Sequence, residues 1–310
     1  MSEQFCDVGR GVTLCYETFG ERGDPPIVLI MGLATQMIAW NDEYCRSLAE
    51  RGFYVVRFDN RDIGHSTHFE FRAPTTRQLV RRRFGPEQYD LGDMAEDTLQ
   101  LIRELELEPA HVVGASMGGM IAQTVAARDP EAVRSLTSIM STTGSRRVGN
   151  PHRQVYRGFL AQRPSDPEEL IEFAVRFFAL IGTPAPNQDL ERIREMTRLS
   201  VERSHDRWAG ARQLGAILKS GNRTRELQRI TAPTLVIHGN KDKLINISGG
   251  RATARAIKGS RFVVIDGMGH DLPVAFWPQI RDLIVEHAKA ADAGEERDLA
   301  TPGVGQDAGA

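Results

Sequence analysis

Ser116 is the side chain whose neighbours in the sequence most directly indicate chemistry. It lies between Gly114 and Gly118 in the pattern Gly-x-Ser-x-Gly, which follows a short apolar run. The serine is therefore expected on a sharp strand-to-helix turn, with its hydroxyl exposed beside the free N–H groups of the helix start. Such a serine can act as a nucleophile, and the alternative is an ordinary glycine-rich turn with a solvent-exposed serine. The residues that predict the helix recur with the spacing of one helix face: Met117, Met120, Ile121, Thr124 and Val125.

Asp242 and His270 are the acid and the base that could activate this serine. Asp242 ends a Gly-Asn-Lys-Asp stretch after the apolar run at 234–238, and His270 ends a Gly-Met-Gly-His stretch after the run at 261–265. Because ligand sites of parallel sheets lie at the carboxyl ends of the strands, both side chains are expected near Ser116. A histidine that takes the serine proton, held by an aspartate, would complete a system for acyl transfer.

Other carboxylates and histidines compete for these two roles. Asp271 adjoins His270, where chain geometry makes a bond to the imidazole awkward, and Asp266 follows the same strand. The acid could also follow the earlier apolar run at 135–140, but the loop at 141–143 holds no carboxylate. His270 is preferred because it alone lies on a glycine-rich loop after a late strand. The other histidines are His65, His68, His111, His152, His205, His238 and His287.

Two backbone N–H groups are candidates for binding the negative charge that develops on a carbonyl oxygen during acyl transfer. One belongs to Met117, directly after the serine. The other belongs to Leu33, in the loop that follows the apolar run at 27–31. This loop lacks a run of glycines, so a plain turn remains the alternative for Leu33.

The composition bounds the kind of protein and its partners. The 310 residues are 41% hydrophobic, which is enough to bury a large core. Lys+Arg number 39 and Asp+Glu 41, a balance that argues against nucleic acid or an anionic membrane as the main partner. Cys6, Cys15 and Cys45 lack metal-ligand spacing and are expected to be reduced thiols of a cytoplasmic protein without a metal site. We recognise neither a signal peptide nor an apolar run long enough to span a membrane.

Apolar runs that alternate with amphipathic segments predict an α/β fold. We expect a mostly parallel central sheet flanked by helices, built from residues 1–140 and 231–289. Residues 141–230 lose the strand pattern and are expected to form a helical cap over the sheet. Residues 67–88 are basic and expected to be irregular, and residues 290–310 are expected to be a disordered tail because they have little to bury.

Six stretches together resemble one family. They are Met31-Gly32-Leu33 with Trp40, Asp59-Asn60-Arg61-Asp62-Ile63-Gly64-His65-Ser66, Tyr89 to Asp97, Gly114-Ala115-Ser116-Met117-Gly118-Gly119, His238-Gly239-Asn240-Lys241-Asp242, and Gly267-Met268-Gly269-His270. Across roughly residues 10–288 the chain resembles the serine hydrolases of the α/β-hydrolase fold, most of all the actinobacterial group of aclacinomycin methylesterase and lipase-esterase relatives. In one departure, Met31-Gly32 stands where many relatives carry His-Gly, which removes a polar group but leaves the backbone donors in place.

The resemblance implies a serine hydrolase that transfers an acyl group from a carboxylic ester to water. Ser116 would attack the carbonyl, His270 would take and return the proton, and Asp242 would hold the imidazole. The N–H groups of Leu33 and Met117 would bind the oxyanion. The implied partner is a small-molecule ester, with no metal or organic cofactor. The alternatives are thioesterase, lipase or perhydrolase activity on the same residues, or a hydrolase-fold ligand-binding protein.

Overall fold

The computed structural model describes residues 2–155, 164, 166–204 and 206–294. Within these residues the strands form one eight-stranded sheet, ordered β1-β2-β4-β3-β5-β6-β7-β8. The pairs β1·β2 and β2·β4 are antiparallel, and the strands from β4 to β8 pair in parallel. The expected mostly parallel α/β sheet is therefore confirmed. The strands are β1 Gln4–Asp7, β2 Thr13–Phe19, β3 Pro26–Ile30, β4 Tyr54–Phe58, β5 Ala110–Ala115, β6 Val133–Ile139, β7 Thr234–Gly239 and β8 Arg261–Ile265.

Helices cover both faces of the sheet. They are α1 Asp42–Ala49, α2 Thr76–Arg81, α3 Leu91–Glu104, α4 Met117–Arg128, α5 Pro167–Ile181, α6 Leu190–Arg203, α7 Ala209–Ser220, α8 Thr224–Leu227, α9 Ser248–Ala256 and α10 Trp277–Asp292. Side chains of a strand alternate between the faces, so Val28 of β3 packs in one buried cluster with residues of α3 and α4. Its neighbour Leu29 packs in a second cluster with residues of α1 and α10. This double burial explains why the central strands appear as continuous apolar runs in the sequence.

The segment between β6 and β7 contains α5 to α8, and its described residues form no strand. Two arginines of this helical insertion pair with aspartates of the loop after β4. Arg203 Nη1 lies 2.7 Å from Asp59 Oδ2, and Arg212 Nη2 lies 2.8 Å from Asp62 Oδ1. Both carboxylates are 0% exposed. Because a buried carboxylate without a partner is costly, these pairs hold the insertion in one position on the sheet domain.

Two expectations about local structure were wrong. The basic segment at 67–88 contains α2, which begins with a capping box between Thr75 and Gln78. The disordered tail was predicted to begin at residue 290, but α10 continues to Asp292. Alanines favour the helix there, and the Asp292 carboxylate lies 3.4 Å from Arg134 Nη1. Residues 295–310 lie outside the described part of the chain. None of the described helices has both the length and the apolar character needed to span a membrane.

Candidate active site

Ser116 is the single residue between β5 and α4. Its backbone has φ 57° and ψ −118°, a conformation that residues with a side chain rarely adopt. A Cβ on Gly114 would lie 2.1 Å from the Gly118 carbonyl oxygen, and one on Gly118 would lie 2.1 Å from the Ile30 carbonyl oxygen. Both glycines of the motif are therefore required by the close approach of the strands and the helix. The turn leaves the Ser116 side chain half-buried at the carboxyl end of the sheet.

A continuous chain of hydrogen bonds joins Ser116 to Asp242 through His270. The Ser116 Oγ lies 2.9 Å from His270 Nε2, and His270 Nδ1 lies 2.7 Å from Asp242 Oδ2. When Nδ1–H is donated to the carboxylate, the lone pair of Nε2 faces the serine hydroxyl. Such an imidazole can take the proton of Ser116 and return it to a leaving group.

The Asp242 carboxylate is held on both of its oxygens. Oδ1 accepts the backbone N–H groups of Leu244 at 2.9 Å and Ile245 at 2.8 Å, while Oδ2 lies 3.4 Å from His238 Nε2. Burial raises the pKa of Asp242, but the charge of His270 and the hydrogen bonds from His238 and His270 lower the pKa further, to about 2. Asp242 is therefore ionised at every pH at which the protein is expected to work.

The low pKa of Asp242 predicts a loss of stability in acid. An unfolded aspartate takes up its proton near pH 3.8, whereas the folded Asp242 does so near pH 2. The unfolded state therefore binds more protons between these values, and the contribution of Asp242, about 2 kcal/mol, is present above pH 4 and lost as the pH falls to 2. Urea unfolding of the wild type and of Asp242→Asn at several pH values checks this. The difference in the free energy of unfolding between the two proteins should decrease below pH 4. A difference that stays constant with pH would contradict the prediction.

The loop that carries His270 is fixed by the end of α5. The His270 N–H donates to the Ile181 carbonyl oxygen at 2.9 Å, and the Gly269 N–H donates to Thr183 Oγ1 at 2.9 Å. A Cβ on Gly269 would lie 2.1 Å from the carbonyl carbon of Gly182. The position of the histidine therefore depends on the helical insertion as well as on β8.

The two competing carboxylates are occupied elsewhere. Asp271 Oδ1 accepts the Thr183 N–H at 2.8 Å and the Thr183 hydroxyl at 2.6 Å, so it stabilises the same loop contact. Asp266 is exposed and accepts a side-chain amide of the loop after β7 at 2.5 Å. Of the three candidates, Asp242 is the one that bonds the His270 ring.

Among the histidines that the structure describes, His270 is the one in contact with Ser116. His111 is buried with its Nδ1 2.8 Å from Ser135 Oγ. His238 Nε2 donates to the Ile245 carbonyl oxygen at 2.8 Å and lies behind Asp242. His205 is outside the described residues. The remaining histidines bond other groups or lie on the surface: His65, His68, His152 and His287.

Met117 and Leu33 lie in the two segments of chain next to Ser116. Met117 is the first residue of α4, so its N–H has no partner within the helix. A Cβ on Gly32 would lie 3.1 Å from the Ser116 Cβ, which places the loop before Leu33 against the serine. Within the described part of the chain neither N–H donates to a protein acceptor. Two free donors beside a serine can bind the oxyanion of an acyl-transfer intermediate.

Two other clusters of side chains contain residue types that can bind a metal ion: Glu3-Cys15-His65 and Asp62-His68-Asp206. In each cluster an arginine bonds the carboxylates. Arg203 Nε donates to Glu3 Oε1 at 2.6 Å, and Arg212 bonds both Asp62 and Asp206. Each guanidinium supplies the positive charge that a cation would otherwise bring. Both groups are therefore interpreted as ion-pair networks.

The sequence did not reveal the side chains that support this site. His238 lies in an apolar strand and gives no local sign of its contact with Asp242. Gln213 of α7 accepts the Ala34 N–H at 2.8 Å across a sequence separation of 179 residues. The one usable signal is that His238 and Asp242 are four residues apart at a strand end.

Comparisons with known proteins agree with this architecture. The model of the alpha/beta hydrolase fold family matches residues 25–274. The chain is 29% identical over 302 residues to the rhodomycin D methylesterase DauP of Streptomyces sp. (strain C5), covering 90% of this chain and 96% of that protein. It is 25% identical over 257 residues to 3-oxoadipate enol-lactonase 2 of Acinetobacter baylyi, covering 83% of this chain and 86% of the other.

A solved structure shows the same fold. The enol-lactonase of Burkholderia xenovorans superimposes with a TM-score of 0.73 at 24% identity, over 92% of this chain and all (100%) of its own. The matched region extends from the start of β3 to the loop after β8, and thus includes the serine turn and both loops that meet it. From the sheet order, the serine turn and this match, the chain belongs to the α/β-hydrolase fold family.

Proposed function

We propose that this enzyme is a serine hydrolase that cleaves carboxylic esters, of the carboxylesterase or methylesterase type. The observation that carries the proposal is the hydrogen-bond chain from Ser116 through His270 to Asp242. The relatives support the substrate class, because methylesterase and enol-lactonase both name the cleavage of a carboxylic ester, one open and one cyclic. The expected resemblance to actinobacterial methylesterases is confirmed.

In the proposed reaction Ser116 Oγ attacks the ester carbonyl while His270 Nε2 takes its proton. The negative oxygen of the tetrahedral intermediate accepts the N–H groups of Leu33 and Met117. His270 then protonates the departing alcohol, and the acyl group remains on the serine. Water, deprotonated by the same imidazole, releases the acid. Asp242 keeps Nδ1 protonated and stabilises the imidazolium in both steps.

The proposal is tested by covalent labelling together with a substrate panel. A fluorophosphonate should modify Ser116, located by mass spectrometry, and the protein should hydrolyse methyl or short-acyl esters. A protein that is neither labelled nor able to turn over any ester would favour the alternative of a hydrolase-fold binding protein. Faster turnover of a thioester would favour the thioesterase alternative, and faster turnover of a long-acyl ester the lipase alternative. Formation of peracetic acid from an acetate ester and hydrogen peroxide, faster than hydrolysis, would favour the perhydrolase alternative, since all three use the same residues.

A cytoplasmic location is also part of the proposal. Cys6, Cys15 and Cys45 are free and buried. Burial raises the pKa of Cys15 and of Cys45 to about 12, so neither thiol competes with Ser116 as a nucleophile. Unpaired structural thiols are typical of reducing compartments.

We further propose that the insertion at 141–230 is the cap that selects the ester. Ile217 is half-buried one helical turn after Gln213, so the two share a face of α7, and Gln213 contacts the loop of Leu33. Ile217→Ala should change the ratio of kcat/KM for a bulky and a short ester by roughly tenfold or more, because each methylene is worth about 1–3 kcal/mol of discrimination. Steady-state kinetics with both esters measures the ratio.

Trp208→Ala provides the matched control at the start of the same helix. The Trp208 side chain is 52% exposed and stacks with the Arg207 guanidinium 4.7 Å from its ring centroid. Its removal should leave the ratio of the two esters unchanged. If folded Ile217→Ala and Trp208→Ala both keep the wild-type ratio, this face of α7 does not select the substrate.

A further inference from the structure

The Leu33 N–H belongs to the peptide unit between Gly32 and Leu33. The peptide units before and after it are both held by side chains. On one side, Asn60 Nδ2 donates to the Met31 carbonyl oxygen at 3.0 Å and fixes the preceding peptide. On the other side, the Ala34 N–H donates to Gln213 Oε1 at 2.8 Å and fixes the following peptide. The direction of the Leu33 N–H is therefore set from both ends by buried amides.

The second of these restraints acts on a strained residue. Ala34 has φ 55°, in the left-handed region that non-glycine residues adopt at a cost of about 1–2 kcal/mol. Such a conformation persists only where surrounding groups fix it. In the described structure two side chains hold this peptide: Gln213 accepts the Ala34 N–H, and the Thr35 hydroxyl donates to the Leu33 carbonyl oxygen at 3.0 Å. Of the two, Gln213 is the one that reaches the loop from the helical insertion.

Gln213 is placed for this task by its other contacts. Its side chain is 0% exposed, and its Nε2 donates to the Arg61 carbonyl oxygen at 2.9 Å. One partner is an N–H and the other a carbonyl, so the orientation of the amide is unambiguous. The preceding residue, Arg212, pairs with Asp62 through two nitrogens. The start of α7 is thus anchored to the loop after β4 and presents Gln213 to the Leu33 loop.

We propose that Gln213 is a positioning residue for the oxyanion-binding N–H of Leu33, so that the helical insertion directly sets the rate of acyl transfer. This inference rests on the proposed function. It differs from a role in packing because the N–H is used when the oxyanion forms, whereas substrate binding relies on other contacts. Loss of Gln213 should therefore lower kcat and leave KM nearly unchanged.

Gln213→Met tests the inference, because methionine fills a similar volume and cannot accept the Ala34 N–H. We expect kcat for a small activated ester to fall by roughly tenfold to hundredfold, less than the loss of an entire oxyanion donor. Gln213→Glu, in the neutral form that burial favours, keeps an acceptor for the Ala34 N–H and a donor for the Arg61 carbonyl oxygen, so it should recover a large part of kcat. If the methionine variant does not fold, Gln213→Leu is measured in its place. Each kcat is expressed per Ser116 titrated with fluorophosphonate, so unfolded protein does not contribute.

Gln123→Met is the matched control. Gln123 is also 0% exposed; its Nε2 donates to Ser138 Oγ at 2.8 Å and its Oε1 accepts Arg223 Nη1 at 2.9 Å, so it does not bond the Leu33 loop. Its loss should lower the melting temperature to a similar extent and leave kcat within about threefold of the wild type. Equal kcat for Gln213→Met and Gln123→Met would overturn the positioning role. Ser116→Ala in the same assay distinguishes failure of this inference from failure of the proposed function. Turnover in that variant would reject the proposed function itself.

Discussion

Replacement of Ser116 by alanine is expected to lower kcat by about a millionfold, the scale for loss of a nucleophile of this kind. The reason is that, among the described residues, the Ser116 hydroxyl is the nucleophile that bonds His270 Nε2, at 2.9 Å, and no other described side chain is placed to form the acyl-enzyme. The fold should survive, because the side chain is half-buried and only one oxygen is removed. The measurement is kcat for an activated ester, with the free energy of unfolding expected within about 1 kcal/mol of the wild type.

Ser141→Ala serves as the control for this variant. The Ser141 hydroxyl donates to the Ser116 carbonyl oxygen at 2.8 Å and thus touches the turn without touching the imidazole. It should keep activity within about tenfold of the wild type, the cost of one hydrogen bond. If Ser116→Ala also stays within about tenfold, Ser116 is not the nucleophile.

Asp242→Asn is expected to lower kcat by about 10⁴-fold. The backbone N–H groups of Leu244 and Ile245 both point at Oδ1, so the carbonyl oxygen of an asparagine must occupy that place. Its NH2 group then faces His270 Nδ1 and donates to it. The imidazole proton is driven to Nε2, where it faces Ser116 and leaves no lone pair to accept the serine proton. Kinetics above pH 6 measure the loss.

Asp271→Asn and Asp266→Asn are the controls for the acid. Asp271 bonds Thr183 and Asp266 lies on the surface, so both replacements should keep most of the turnover. Asp271→Asn should mainly lower stability, through the contact between Thr183 and the His270 loop. A larger loss of kcat in Asp271→Asn than in Asp242→Asn would mean that the acid is wrongly assigned.

The features that could be predicted from the sequence are those determined by short stretches of chain. Apolar runs located the central strands, because a strand buried on both faces has no polar positions. The ends of these strands located Ser116, Asp242 and His270, which the structure brings into hydrogen-bond contact. Their catalytic roles and those of the Leu33 and Met117 N–H groups stay predictions.

The features that were missed depend on contacts between distant segments. The last turn of α10 was assigned to a disordered tail because its composition has little to bury, whereas Asp292 is held by Arg134 and His111. Gln213 could not be recognised, because nothing around it in α7 indicates that it reaches Ala34. Nor does any pattern in the sequence indicate that the His270 N–H bonds the Ile181 carbonyl oxygen at the end of α5.

The paired arginines of the insertion, Arg203 and Arg212, bear on how this enzyme can be re-engineered. Exchange of the segment at 141–230 for that of a relative would leave Asp59 and Asp62 buried without their cations unless arginines arrive at matching places. An uncompensated buried carboxylate costs about 3–5 kcal/mol. Chimeras should therefore fold and turn over only when the donor segment brings both arginines, and a library built without this constraint would consist mostly of inactive proteins.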